Sequence, residues 1–156
     1  PNKGTFVIRY PRGNGVHTEW RTPMKEVAVG TGRCLREGTE LAIISFGPIG
    51  NEVVKVLDEM PTTKSVAHYD LRFVKPLDEN MIQEIGNRFK KIITIEDGVR
   101  NGGMGSAVLE WLNDHKFYPQ MVRMGLPDAF VEHGSVAQLR QLVGLDADSI
   151  RKEIEA

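Results

Sequence analysis

The stretch His68–Pro76, HYDLRFVKP, places Arg72 inside an apolar run formed by Leu71, Phe73 and Val74. A strand opening at Ser65–Val66 and continuing through Phe73 should bury most of its surface, and Pro76, which cannot donate to a ladder, stops it. Leu77-Asp78-Glu79-Asn80 then supplies the cap and first turn of a helix reaching Arg88. Arg72 is therefore expected at a strand-to-helix boundary. Open α/β sheets gather ligands beyond the carboxyl ends of their parallel strands, and the planar guanidinium fork suits a phosphate or a carboxylate. An ion pair with Asp70 or Asp78 is the alternative that involves no ligand.

A second candidate is the loop from Glu96 to Gly105, EDGVRNGGMG. Gly98, Gly102, Gly103 and Gly105 stand just before or at the start of a helix, where missing side chains let another surface approach the backbone. Without Lys-Ser or Lys-Thr it is no Walker loop, so a site-facing role and a subunit or domain contact remain equally open. Glu96 and Asp97 are adjacent, point to opposite faces of a strand and cannot form a catalytic pair; capping or interface roles fit them better. His17, His68, His115 and His133 lack metal-ligand spacing and read as structural or solvated, with His133 the most open to a site-facing role because His133-Gly134-Ser135 lies in a loop. Cys34 has no evident base beside it, Ser45 and Ser106 lack the context of a hydrolase elbow, and Gly47-Pro48-Ile49-Gly50 is a plain turn. The residues offer an anion-binding arginine and a glycine-rich loop, but no catalytic set and no metal site.

The elements that must position them alternate. Gly4–Tyr10 reads as a strand ended by Pro11-Arg12-Gly13, and residues 14–25 as a polar, turn-rich connector. Pro1 is not an initiator Met, and one strand cannot bury both faces alone, so the chain is expected to be part of a longer protein. Val27–Leu35 and Thr39–Phe46 are expected to form an antiparallel hairpin about Arg36-Glu37-Gly38. Three strand-helix units follow: Leu41–Phe46 with a helix stopping before Pro61, Ser65–Phe73 with Asp78–Lys90, and Lys91–Ile95 with Ser106–His115, where Val108, Leu109, Trp111 and Leu112 face inward. Trp111 and Phe117 are taken as core. A strand over Gln120–Gly125, a helix capped by Ser135 with Leu139 and Leu142 inward, and a terminal helix from Asp146 or Asp148 complete the pattern. Such alternation implies a three-layer α/β/α fold, with a mostly parallel sheet and an antiparallel edge strand.

The 156 residues can build one sizeable core. A net charge of −1 with mixed signs gives no basic field for nucleic acid and no polybasic patch for a membrane. One cysteine fits a reducing compartment, and no apolar run is long enough to span a bilayer; the expected location is the cytoplasm.

Four motifs, in order and spacing, carry a resemblance. They are Ile8–Gly13 (IRYPRG), Asp70–Asp78 (DLRFVKPLD), Glu96-Asp97-Gly98 with Gly102–Ser106, and Gly125–Asp128 (GLPD) with Glu132-His133-Gly134. Together they resemble the C-terminal part of the 1-deoxy-D-xylulose-5-phosphate synthase family, which is transketolase-like. The resemblance implies that residues 1–13 end a preceding pyrimidine-binding domain, 14–25 link the two, and 26–156 form a transketolase C-terminal-like domain. It further implies a homodimer that uses thiamine diphosphate and Mg2+, both held by N-terminal and central domains outside this stretch. The reaction would condense pyruvate with glyceraldehyde 3-phosphate, release carbon dioxide and feed isoprenoid, thiamine and pyridoxal synthesis. Arg72 would meet the phosphate of glyceraldehyde 3-phosphate, and this stretch alone would bind no cofactor and be inactive. The alternatives are the same domain of a transketolase or of a 2-oxo acid dehydrogenase β subunit, or a non-catalytic interaction module.

Overall fold

The computed structural model of the chain describes residues 4–5, 7–8, 10, 15–16, 21–59 and 64–156. Of the strand expected over Gly4–Tyr10, Phe6 and Arg9 lie outside the described residues, as do Pro11–Gly13 and much of the 14–25 connector. Val7, Ile8 and Tyr10 are exposed and belong to no strand.

Five strands and five helices follow: β1 (Arg33–Arg36), β2 (Leu41–Phe46), α1 (Ile49–Glu59), β3 (Val66–Asp70), α2 (Glu79–Arg88), β4 (Lys91–Val99), α3 (Met104–Asp114), β5 (Gln120–Leu126), α4 (Val136–Val143) and α5 (Ala147–Glu155). The sheet order is β1-β3-β2-β4-β5, parallel except for the edge pair β1–β3. Period-two alternation splits its side chains between two cores. Leu41, Ile43, Ile93 and Ile95 pack with Ile49, Val53, Val56 and Leu57 of α1 and with Ile150 and Ile154 of α5. Ala42, Ile44, Tyr69 and Ile92 face the other way, onto Met81, Ile82 and Ile85 of α2 and Met104, Val108 and Leu112 of α3. The three-layer architecture, mostly parallel with an antiparallel edge, is thus present. No described helix is long and apolar enough to cross a membrane.

Several boundaries differ from the sequence expectation. The expected β1–β2 hairpin does not form, because β2 is buried and both its ladders are taken by the parallel strands β3 and β4. The turn after β1 instead delivers the backbone N–H groups of Thr39, Glu40 and Leu41 to the Ser65 carbonyl, and β1 pairs with β3. β1 is also shorter than expected, with Val27 and Val29 exposed before it. β3 ends at Asp70, before Leu71, so Pro76 is not what stops it. β4 runs on to Val99 across a register irregularity after Ile95. Ser135 caps α4 in a capping box with Gln138, but no residue of that helix is fully buried, Val143 packs only at the margin of the first core, and Leu142 is exposed. Leu109 is likewise partly exposed, and Trp111 and Phe117 pack at the edge of the second core rather than inside it.

Candidate functional site

Arg72 leaves the strand through a strained turn. Leu71, fully buried, donates its N–H to the Ser45 carbonyl, and the Phe73 N–H returns to the Leu71 carbonyl at 2.6 Å, with Arg72 between them at φ 55°. An i→i+2 bond around a residue of positive φ is a rare γ-turn geometry, costly for a side chain bearing Cβ. It persists because its surroundings over-determine it. The Arg72 N–H donates to Asp70 Oδ1, and the guanidinium reaches across to the loop before β1. Nε donates to the Thr31 carbonyl at 2.9 Å, while Nη2 donates to the Gly32 carbonyl at 2.8 Å and to Thr31 Oγ1 at 3.3 Å. Nη1 has no hydrogen bond among the described residues.

Neither aspartate weighed as an ion-pair partner captures that guanidinium. Asp70 pairs with Arg33 across the β1–β3 ladder, at 2.9 Å from Nη2 and 3.0 Å from Nε. Asp78 caps α2 through Oδ1, which accepts from the Met81 N–H, and its Oδ2 accepts from the Gly32 N–H at 2.7 Å. Arg72 is half-buried and has no carboxylate within ion-pair distance of its guanidinium among the described residues.

Glu96 and Asp97 occupy opposite faces of β4, and each reaches a different helix. Glu96 is buried at 4% exposure and accepts from the Met104 and Gly105 N–H groups at 2.8 and 2.9 Å, closing the N-terminus of α3. Asp97 accepts from the Ile49 N–H at 2.8 Å and does the same for α1 on the far side. Both carboxylates thus satisfy helix amides that have no intrahelical acceptor.

The glycine loop closes on itself. Gly98 lies in the bulged end of β4, Gly102 in the turn at φ 77°, Gly103 at the N-cap of α3 and Gly105 in its first turn. Ser106 Oγ accepts from the Gly102 N–H and from Arg123 Nη1, and donates to the Arg100 carbonyl. A Cβ on Gly103 would stand 2.2 Å from the Val99 carbonyl oxygen and 2.4 Å from Glu96 Oε2. The loop is therefore packed on its own chain at Gly103. His133 is exposed on the loop before α4 and has no hydrogen bond among the described residues.

One arrangement has no sequence signal. His68 is 1% exposed, with Nε2 2.8 Å from Ser45 Oγ, and Ser45 in turn donates to the Tyr69 carbonyl. That assignment leaves Nδ1 as an unpartnered acceptor beside a cleft of about 260 Å³ lined by Leu35, Arg36, Val54, Leu57 and Asp58. Burial lowers the imidazole pKa to about 4, against the opposing pull of Asp70, so the ring is neutral. Cys34 is exposed on β1, where partial burial and Glu37 raise its thiol pKa, away from nucleophile behaviour.

These donors do not fit a magnesium–diphosphate group. Among the described residues no three His, Cys, Asp or Glu side chains are grouped to hold a cation, and Asp70, Asp78, Glu96 and Asp97 are already engaged by an arginine or by amides.

A family model described as "Transketolase, C-terminal domain" matches residues 30–150. Among curated relatives, a protein of Phocaeicola vulgatus is 54% identical over 154 residues, one of Bacteroides thetaiotaomicron 53% over 156, and one of Bacillus licheniformis 39% over 153. All three bear the name 1-deoxy-D-xylulose-5-phosphate synthase. The matches cover 97–99% of this chain but only 24% of each relative, so the chain spans about a quarter of their length. A solved structure titled "Split gene transketolase, inactive beta4 tetramer" aligns with TM-score 0.77 at 23% identity, over 84% of this chain and 43% of that one. That likeness concerns the fold.

Proposed function

The chain belongs to the transketolase C-terminal domain family, and from that membership we propose that it serves as the C-terminal domain of a thiamine diphosphate- and Mg2+-dependent transferase of transketolase type. The reaction is the condensation of pyruvate with glyceraldehyde 3-phosphate to 1-deoxy-D-xylulose 5-phosphate with loss of carbon dioxide, supplying isoprenoid precursors in the cytoplasm. The observation that carries this is identity above 50% along nearly the whole chain to relatives of that name. In this proposal the cofactor supplies the carbanion chemistry from domains beyond this chain, and a second copy completes a homodimer.

What this chain contributes is phosphate recognition by Arg72. Among the described residues its guanidinium has no carboxylate partner and its Nη1 carries no hydrogen bond, while two carbonyls fix its plane. Because Nε and Nη2 are already engaged, the phosphate meets the Nη1 side rather than a full bidentate fork. A charge-assisted bond of this kind contributes about 1.5–3 kcal/mol. Arg72→Ala in the full-length protein should therefore raise the KM for glyceraldehyde 3-phosphate by about tenfold to a hundredfold, with KM for pyruvate little changed. Steady-state kinetics with each substrate varied in turn checks this. An unchanged KM for the phosphorylated substrate removes Arg72 from the site.

A further inference from the structure

The Arg72 side chain has enough rotamer freedom that its guanidinium points one way only if something holds it. Two carbonyls do so, those of Thr31 and Gly32, and they lie 41 and 40 residues upstream in a loop that is neither helix nor strand. The orientation of Arg72 is therefore only as fixed as that loop. Besides those of Arg72, two side-chain bonds hold it among the described residues. Thr31 Oγ1 donates to the Ala28 carbonyl at 2.7 Å within the loop itself. Asp78 provides a side-chain tie to α2, beside the β1–β3 ladder that begins at Arg33, with Oδ2 accepting from the Gly32 N–H and Oδ1 from the Met81 N–H.

Asp78 thus grips the Thr31–Gly32 peptide unit, whose carbonyl accepts from Arg72 Nε. Gly32 offers its N–H to Asp78 and its carbonyl to Arg72. Asp70 cannot substitute, since it holds only the backbone N–H of Arg72 and is otherwise paired with Arg33. Resting on the phosphate role of Arg72, we propose that Asp78 is a positioning residue for that contact, aligning the guanidinium through Gly32 while it caps α2.

The two duties of Asp78 can be separated. A serine also caps a helix well, but its single short oxygen serves the Met81 N–H and leaves the Gly32 N–H without its acceptor. In the full-length protein, Asp78→Ser is expected to raise the KM for glyceraldehyde 3-phosphate about fivefold, with KM for pyruvate and kcat within about twofold. Placed on Arg72→Ala, the same change adds nothing further, because the group it aligns is gone. Gly32→Ala perturbs the loop from its other side and leaves Asp78 intact. Its Cβ would come 2.5 Å from Met81 Cε and 3.1 Å from the Asp70 carbonyl oxygen, and it should raise the same constant.

An unchanged KM in both Asp78→Ser and Gly32→Ala, with Arg72→Ala still impaired, overturns the positioning role and leaves the phosphate role standing. An Asp78→Ser effect that persists at full size on Arg72→Ala overturns it as well. If Arg72→Ala itself leaves the constant unchanged, both fall together.

Discussion

Arg72 and His68 stand four residues apart and show two ways a polar side chain is fixed in this domain. Arg72 combines a positive φ with a guanidinium bonded to carbonyls some forty residues upstream. Its place near a strand-to-helix boundary was legible from the apolar run around it and the helix cap at Asp78 after it, although β3 ends at Asp70 instead of running through to Phe73. Its bonding was not, because backbone carbonyls carry no residue-type signal. His68 was less legible still: nothing in HYDLRFVKP distinguishes a buried neutral imidazole from a solvated one, and register against β2 alone brings it to Ser45. An unfolded histidine titrates near 6.5 and this one near 4. Between those values the unfolded chain binds more protons than the folded one, so the stabilising contribution is complete above 6.5 and falls as pH drops towards 4. The loss amounts to about 3 kcal/mol at the acid end. Urea unfolding of the wild type and of His68→Gln at pH 7 and pH 5 should show a steeper loss in the wild type; parallel losses would exclude His68 as the cause.

At the scale of elements, the end of β4 ties the two helical layers to the sheet. Period two placed Glu96 and Asp97 on opposite faces from the sequence alone. Which helix each would meet depended on the crossovers: α3 returns over the face of Glu96, and α1 over that of Asp97. The glycines beside them act for different reasons. Gly102 needs its backbone angle but has open space where a Cβ would go, whereas Gly103 has none. Gly102→Ala should cost about 1 kcal/mol, the ordinary penalty of a left-handed residue. Gly103→Ala should cost about 3 kcal/mol, since the Cβ displaces the Val99 carbonyl and opens the Glu96 cap of α3. Denaturant midpoints of the two variants test the order, and equal losses would mean that the Glu96 cap is not held by this close approach.

Across the whole molecule, the sheet separates two apolar cores, and the carboxylates at the strand ends are engaged in keeping helices in place. With those groups committed, the isolated domain should give no saturable heat on titration with thiamine diphosphate and Mg2+; micromolar binding by calorimetry would contradict the assignment of the cofactor to other domains. Composition and periodicity by themselves determined the class of fold, the order of its strands and helices after β1, and that Arg72 stands between β3 and α2, because burial patterns and caps are local in sequence. Tertiary structure alone decided that β1 pairs with β3 and not with β2, that His68 is buried against Ser45, and that Arg72 rests on Thr31 and Gly32. Each of those outcomes depends on which strand lies beside which and on backbone atoms common to every residue, and neither is written in the identity of a side chain.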